Sequence, residues 1–349
     1  MIEVEEKYMA RCFELARRGE GDTAPNPMVG AVIVHDGKII GEGYHRKYGE
    51  AHAEVNAITS VKNEALLSDS TIYVSLEPCS HYGKTPPCAE LIIRKGIPRV
   101  VVGSPDPFPE VSGRGIQMLL DAGVEVVTGV MEKEAVELNA AFMTFQRLKR
   151  PYIYLKWAQS LDGFLDKARE DAQTPATVLS SPATLRHVHH LRTKAAAIMV
   201  GTRTALLDNP SLTVRHWVGN SPVRVLLDRE LRVPSGYHLM DGTVRTLVFT
   251  ACDAENRPNV EYVTIDFSHD VLPQVLHQLY VRKLNSLLVE GGSQLLESFL
   301  QAGLWDEICV ETAPVLLCSG IEAPVISGCP YDLKNHNGHL LQTYRQKLH

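Results

Sequence analysis

The residues best suited to chemistry fall between Ala51 and Cys88: Ala51-His52-Ala53-Glu54, then Glu77-Pro78-Cys79, then Cys88 after a loop rich in Gly and Pro. His52, Cys79 and Cys88 form a set of three good zinc ligands, which leaves a fourth coordination position for water, the arrangement of catalytic rather than structural zinc. Zinc lowers the pKa of its bound water from about 15.7 towards 7 and so makes a hydroxide nucleophile at neutral pH. Glu54 need not be a ligand, and a carboxylate beside the metal can relay protons. Hydrolytic deamination needs both parts, because one proton must reach the ring nitrogen and another the departing ammonia. Alone, His-x-Glu is a common accident and a buried Cys is a small apolar residue. Their combination, without the closely spaced cysteine pairs and four protein ligands of a structural site, favours catalysis. His81, in the loop, is the remaining candidate ligand or a residue that orients a substrate.

These side chains need positioning elements. His52 and Glu54 are two apart and cannot share a face inside a regular helix, so the metal is expected off the N-terminus of a helix over 54–62. Cys88 opens a second helix, 88–95, whose N-terminus favours thiolate. An amphipathic helix over 3–18 and a hairpin of 29–34 with 38–43 around Asp36-Gly37 precede them. Strands at 71–75, 99–103 and 124–128 alternate with helices through 113–122, and a single helix over 131–149 closes this half at Arg150-Pro151, where proline disfavours helix. The second half restarts with a strand over 152–158. It continues with strands near 196–200, 223–228, 245–250, 261–266, 286–290 and 307–312 and helices near 182–192, 271–283 and 293–302. Two domains, 1–149 and 150–349, follow from this pattern and from the length of 349 residues.

Composition narrows the class. With 44% hydrophobic and 22% charged residues the chain is ordinary globular protein. The N-terminus is acidic, unlike a signal peptide, and no run approaches the ~20 apolar residues of a membrane span, so a cytoplasmic location is expected. Seven cysteines, an odd number, argue against a disulfide framework, and a net charge of −6 argues against a broad nucleic-acid face. A homo-oligomer stays open.

The pattern His52-Ala53-Glu54 with Pro78-Cys79…Cys88 resembles the signature of zinc nucleobase deaminases, with eight residues between the cysteines instead of two. That longer loop, Asn26 within Pro25-Asn26-Pro27, and Gly41-Glu42-Gly43-Tyr44-His45 together resemble the RibD family of bifunctional riboflavin-biosynthesis enzymes. In the second half, Ala158 to Gly163, Val200 to Arg215 and Val289-Glu290-Gly291-Gly292 resemble the reductase part of the same family. The Gly-Gly turn before a helix suits phosphate, although it lacks the Gly-x-Gly-x-x-Gly of a Rossmann site. The resemblance implies an N-terminal cytidine-deaminase-like α/β/α sandwich plus a C-terminal dihydrofolate-reductase-like α/β domain, with Zn²⁺ and NADPH as cofactors.

Carried over residue by residue, the resemblance implies that Ala158, Thr204, Asp208 and the turn Gly292, Ser293, Gln294, Leu295, Leu296, Glu297 and Ser298 contact NADPH. Arg192, Leu212, Arg215 and Glu290 would line the phosphorylated substrate's site in that half, and Asn26 and Lys84 would contact it in the first. An arginine can hold phosphate bidentately, but Arg192 would also be welcome at a helix C-terminus for its charge alone. His187-Val188-His189-His190, with mixed spacing on a basic helix, reads as a solvated or phosphate-facing surface rather than a metal site. Two departures stand out. Phe108 occupies the position of the asparagine in the family's Asp-Pro-Asn-Pro, and 164–179 lacks the Ser-Gly-Glu-Ser-x-Trp-Ile-like pattern, so no nicotinamide contact is assigned there.

The expected activity is deamination of 2,5-diamino-6-(5-phosphoribosylamino)pyrimidin-4(3H)-one followed by NADPH reduction of its ribosyl group to ribityl. The expected partner is thus a small phosphorylated pyrimidine, with no nucleic acid and no membrane. Two alternatives remain: a base, nucleoside or tRNA deaminase fused to another reductase, testable by tRNA gel shift, and a non-catalytic zinc- or NADPH-binding regulator, for which the poised Glu54 would have no use.

Overall fold

The computed structural model describes residues 2–82, 86–108 and 112–346, with side chains from Glu5 onward. Its described residues form two compact units, Met1–Lys149 and Arg150–His349.

In the first unit a five-stranded sheet runs β2-β1-β3-β4-β5, with β1 Gly30–His35, β2 Lys38–Tyr44, β3 Thr71–Leu76, β4 Arg99–Ser104 and β5 Glu125–Thr128. The β1–β2 hairpin and the β1–β3 pair are antiparallel, whereas β3, β4 and β5 are parallel. Asp36 and Gly37 both take positive φ, the backbone a tight two-residue hairpin turn requires. Alternation along β1 sends Ala31 and Ile33 to one face and Val32 and Val34 to the other. The first face packs with Ala57 of α2 (Ala53–Ser60), Ile92 of α3 (Cys88–Arg94) and Leu119 of α4 (Arg114–Asp121). The second packs with Met9 and Phe13 of α1 (Ile2–Ala16) and Ala135 of α5 (Glu132–Leu138). Helices thus cover both faces, an α/β/α sandwich.

One helix was expected over 131–149, but Asn139, with φ −109° and ψ 27°, separates α5 from α6 (Ala140–Leu148). Its side chain explains the break. The amide oxygen accepts from the Met28 N–H at 2.8 Å and the amide nitrogen donates to the Met28 carbonyl at 2.9 Å. Hydrophobic periodicity runs straight through this position and carries no trace of that pairing.

The second unit opens at Arg150, whose guanidinium grips Asp306 through two bonds of 2.6 and 2.9 Å. Its nine-stranded sheet runs β11-β10-β9-β8-β12-β6-β13-β16-β15. The strands are β6 Tyr152–Gln159, β8 Ala197–Gly201, β9 Val223–Leu227, β10 Thr246–Thr250, β11 Val260–Thr264, β12 Ser286–Val289, β13 Glu307–Thr312, β15 Asp332–His336 and β16 His339–Arg345, while β7 Phe164–Asp166 pairs apart with β14 Ile321–Glu322. From β11 to β13 every pair is parallel, and β16 and β15 complete the edge antiparallel. Buried on both faces, the central strands read as unbroken apolar runs such as Ser286-Leu287-Leu288-Val289, as parallel sheets require. One face packs with α9 Val271–Val281 and α10 Ser293–Gln301 around Phe299 and Leu276. The other packs with α7 Pro182–Lys194 and α8 Thr202–Asp208 through Leu191 and Ala205. The edge hairpin β15–β16 is absent from the sequence reading because its residues, polar and exposed on β15, show no alternating pattern.

Candidate active sites

In the first unit two helix N-termini converge. His52 is the N-cap of α2 and Cys88 is the first residue of α3, while Cys79 follows β3 in the loop between them. His52 Nδ1 lies 3.6 Å from Cys79 Sγ and 3.4 Å from Cys88 Sγ. The three donor atoms all lie within 4.8 Å of one another, the spacing that bonds of about 2.0–2.3 Å to one zinc would need. The donor set therefore fits zinc. Cys79 is held as thiolate, its pKa drawn down to about 4 by the hydrogen bond from Cys88 and then by His52, while Cys88 is pushed well up by the same thiolate and by burial. His52 is raised to about 9 by its hydrogen bond to Cys79. Backbone supports this geometry, with the Cys88 N–H donating to Cys79 Sγ at 3.3 Å and the Ala89 N–H to the Cys79 carbonyl at 3.2 Å.

Glu54, in the first turn of α2, is buried at 3% exposure. Burial lifts its pKa to about 7, against the pull of His52. Such a carboxyl can both hold and release a proton at neutral pH. Asn26 reaches the same corner through His45: its amide donates to His45 Nε2 at 3.2 Å, so Nδ1 bears the proton and donates to the Ala51 carbonyl at 3.1 Å. Burial lowers the His45 pKa and keeps this ring neutral, edge-on to His52 at 5.5 Å. Lys84 lies outside the described residues. His81 is exposed and lies edge-on to Phe108 at 6.2 Å. Phe108 itself packs on Leu76, Phe142 and Met143, so an apolar ring takes the place of the expected amide.

Glu77 is a buried carboxylate that motif reading passed over. Its Oε2 accepts from the Asp106 and Gly113 N–H groups at 3.2 and 3.0 Å, and its Oε1 from Gly115 and Ile116 at 3.0 and 3.3 Å. It ties the strand that leads to Cys79 to the start of α4. The available signal was a carboxylate between the apolar end of β3 and Pro78.

In the second unit the cofactor candidates gather at the carboxyl ends of the parallel strands, where open α/β sheets bind ligands. The turn after β12 approaches α8 so closely that a Cβ on Gly291 would lie 2.9 Å from Thr204 Cγ2, and Gly292 has φ +73°. With that close approach, and with no side chain capping α10, the turn fits a phosphate of the dinucleotide. Asp208 lies one turn beyond Thr204 on α8, and Ala158 sits on β6 opposite Glu311. Leu295 and Leu296 point into the core, and the Ser298 hydroxyl donates to the Gln294 carbonyl, so these positions can meet a cofactor only through main chain or after regrouping. The Ser293 hydroxyl donates to the Glu322 carbonyl, while Gln294 and Glu297 are exposed.

Arg192 and Glu290 form one unit: Nε donates to Oε1 at 2.9 Å, Nη2 to Oε2 at 2.6 Å, and Nη1 to the Thr213 carbonyl at 3.0 Å. Burial pulls the Glu290 pKa upward, but the Arg192 charge and hydrogen bonds outweigh it and hold it below the usual range. Arg215 is exposed, and its N–H donates to His189 Nδ1 at 2.9 Å. Leu212 is buried with φ +51°. Of the histidines expected on a solvated or phosphate-facing surface, His187 is exposed and His190 half-buried, but His189 is fully buried and burial lowers its pKa to about 4. Within 164–179, where no nicotinamide contact is assigned, Arg169 bridges Asp166 at 2.7 Å and Asp208 at 2.5 Å. Glu311, buried at 1% exposure, accepts from Ser180, Thr184 and His339.

A zinc-ligand trio beside a buried carboxyl, joined in one chain to a parallel-sheet unit with a phosphate-type turn, defines a zinc-dependent deaminase fused to a nucleotide-dependent reductase. Residues 2–104 match the cytidine and deoxycytidylate deaminase zinc-binding region, and residues 151–338 match the RibD C-terminal domain. Riboflavin biosynthesis proteins RibD of Bacillus amyloliquefaciens and Aquifex aeolicus are 43% and 42% identical, over 93% and 91% of this chain and 88% and 89% of theirs. The crystal structure of a diaminohydroxyphosphoribosylaminopyrimidine deaminase/5-amino-6-(5-phosphoribosylamino)uracil reductase from Thermotoga maritima superposes with a TM-score of 0.88 at 36% identity, covering 99% of both chains. The chain belongs to the RibD family. It is a bifunctional enzyme of riboflavin biosynthesis, and its cofactors are Zn²⁺ and NADPH. Among the described residues no helix is long and apolar enough to cross a membrane.

Proposed function

We propose that the first unit, residues 1–149, deaminates 2,5-diamino-6-(5-phosphoribosylamino)pyrimidin-4(3H)-one and that the second, residues 150–349, reduces the ribosyl group of the product to ribityl. His52, Cys79 and Cys88 would hold the zinc, which when bound supplies Lewis-acid activation of a water at neutral pH. Glu54 takes a proton from the water as the water's oxygen bonds to the ring carbon bearing the 2-amino group and delivers that proton to the ring nitrogen; it then carries the proton of the new hydroxyl to the amino group, and the C–N bond breaks to release ammonia and leave a carbonyl at that carbon. The buried carboxyl suits this relay because its protonated and ionised forms are close in energy. Asn26, steered by His45, offers its amide oxygen, which has no partner among the described residues, to the substrate ring.

In the second unit Thr204, Asp208, Ala158 and the Gly292–Ser298 turn would hold NADPH. The ion pair of Arg192 with Glu290, beside Leu212 and Arg215, would face the phosphorylated substrate. Arg192 spends three donors on Glu290 and Thr213, so it acts chiefly by holding Glu290 ionised and in place. The single observation that carries the reading is the convergence of His52, Cys79 and Cys88 beside buried Glu54. The test follows ammonia release from the diaminopyrimidinone phosphate together with NADPH oxidation. Glu54→Gln should abolish the first and leave reduction of separately supplied deaminated substrate intact; loss of both together would sink the division of labour.

A further inference from the structure

We infer that Asn139, at the junction of α5 and α6, is a positioning residue for deamination. This rests on the reading that Asn26 faces the pyrimidine. Asn139 is buried at 4% exposure and stands 111 residues from Met28 in sequence, yet its amide pairs with both main-chain groups of that residue. The pairing imitates one step of a β-ladder. No other hydrogen bond of the Met28 main chain is found among the described residues, so the whole polar requirement of this loop residue falls on one side chain.

The loop so held leads straight to the site. Two residues before Met28, Asn26 donates to His45, which in turn bonds to Ala51, the neighbour of His52. One residue after Met28, the Val29 carbonyl accepts from the His45 N–H at 2.9 Å. Asn26 is therefore fixed from two sides, by His45 and by Asn139 acting through Met28. The position costs the chain a continuous helix, since Asn139 leaves helical geometry where α5 meets α6. A residue needed only for core packing would not require an amide that both donates and accepts.

The experiment measures deaminase kcat and KM, zinc content and thermal stability for Asn139→Ala, Asn139→Asp and Leu67→Ala. Leu67 is buried in the same unit and serves as a destabilised control outside the loop. Asn139→Ala should raise the KM for the diaminopyrimidinone phosphate about ten-fold or more, the effect of misplacing a binding group, with one zinc per chain and unchanged reduction. Asn139→Asp keeps the acceptor for the Met28 N–H and loses the donor, so its KM should fall between the two. If Asn139→Ala does not fold, the Asp variant alone decides the matter. Wild-type KM in either Asn139 variant, or an equal rise in Leu67→Ala, overturns the inference. Absence of deamination in the wild-type protein would instead overturn the functional reading beneath it.

Discussion

Glu54 in the first unit, buried, and Glu290 in the second, nearly so, are glutamates beside a candidate site, and their surroundings drive them in opposite directions. Glu54 has no arginine partner among the described residues, and burial lifts it to about 7 against the weaker pull of His52. Glu290, with its side chain 9% exposed, receives two hydrogen bonds from Arg192 and stays ionised below its ordinary range. Burial acts on both; the fixed guanidinium decides the outcome. The first arrangement suits a group that moves protons and the second a group that holds charge, so one residue type serves two chemistries through its neighbours.

The largest effects should separate these roles. Glu54→Gln should cost deamination about 10²–10⁴-fold or more, the range for losing a general acid–base group, while removing a carboxyl that is costly to bury; urea unfolding of the first unit should show no loss of stability. Glu290→Ala should behave in reverse. It leaves Arg192 buried and unpaired, so the second unit should lose about 3–5 kcal/mol in denaturant unfolding, with deamination unchanged. Paired replacement, Arg192→Met with Glu290→Leu, should restore much of that stability and still fail to reduce substrate. Equal stability losses at Glu54 and Glu290 would erase the distinction.

Acid should sharpen the same contrast. Arg192 and His189 of α7 and Lys156 of β6 face Glu290, and its folded pKa is lowered from 4.5. A lowered folded pKa contributes stability that is complete above the unfolded value and lost as pH falls through the folded one. His189, whose pKa is lowered from 6.5 to about 4, adds a loss that begins near pH 6.5, where the unfolded chain takes up the proton, and is complete near 4. Thermal melting of the second unit should therefore weaken from about pH 6.5 downward and further below about 4.5, and Glu290→Gln should flatten the part below 4.5.

How much of this was legible depends on whether the signal was local. His52, Glu54, Cys79 and Cys88 could be read because metal chemistry dictates residue types and helix starts dictate spacing. The alternating strands and helices were legible for the same reason, since periodicity is local. Asn139, Arg169 and Glu311 were not, because each acts on a partner far away in sequence: Met28, Asp208, and Ser180 with His339. Asn139 and Glu311 are polar residues within an apolar pattern, as Glu311 is in Ile308-Cys309-Val310-Glu311-Thr312, and that mismatch marks the place without naming the partner, whereas Arg169 lies in a charged stretch that marks nothing. The β15–β16 hairpin was missed because its exposed residues carry no burial pattern.

Glu77 gives a third kind of buried carboxylate, satisfied by four backbone N–H groups with no cation. It tethers the segment between β3 and Cys79 to the start of α4. Glu77→Ala should weaken zinc binding about 10–100-fold, the usual cost of removing support behind a metal ligand, as read by competition with a chromogenic chelator. Glu77→Gln should cost less, because its amide oxygen still accepts. An unchanged zinc affinity in both variants would show that the Cys79 loop needs no such tether.

The smallest effect belongs to a carboxylate on the surface. Glu42 pairs with Arg11 at 2.7 Å, with both side chains about one-third exposed, 33% and 31%. Its pKa is lowered by the hydrogen bonds from Arg11, yet water screens the pair, and exposed pairs contribute only about 0–1 kcal/mol. Glu42→Gln should therefore shift the unfolding midpoint of the first unit barely beyond error, and added salt should remove what difference there is. A loss comparable to Glu290→Ala would mean that enclosure is not what separates these carboxylates, and that geometry of the arginine contact alone sets their worth.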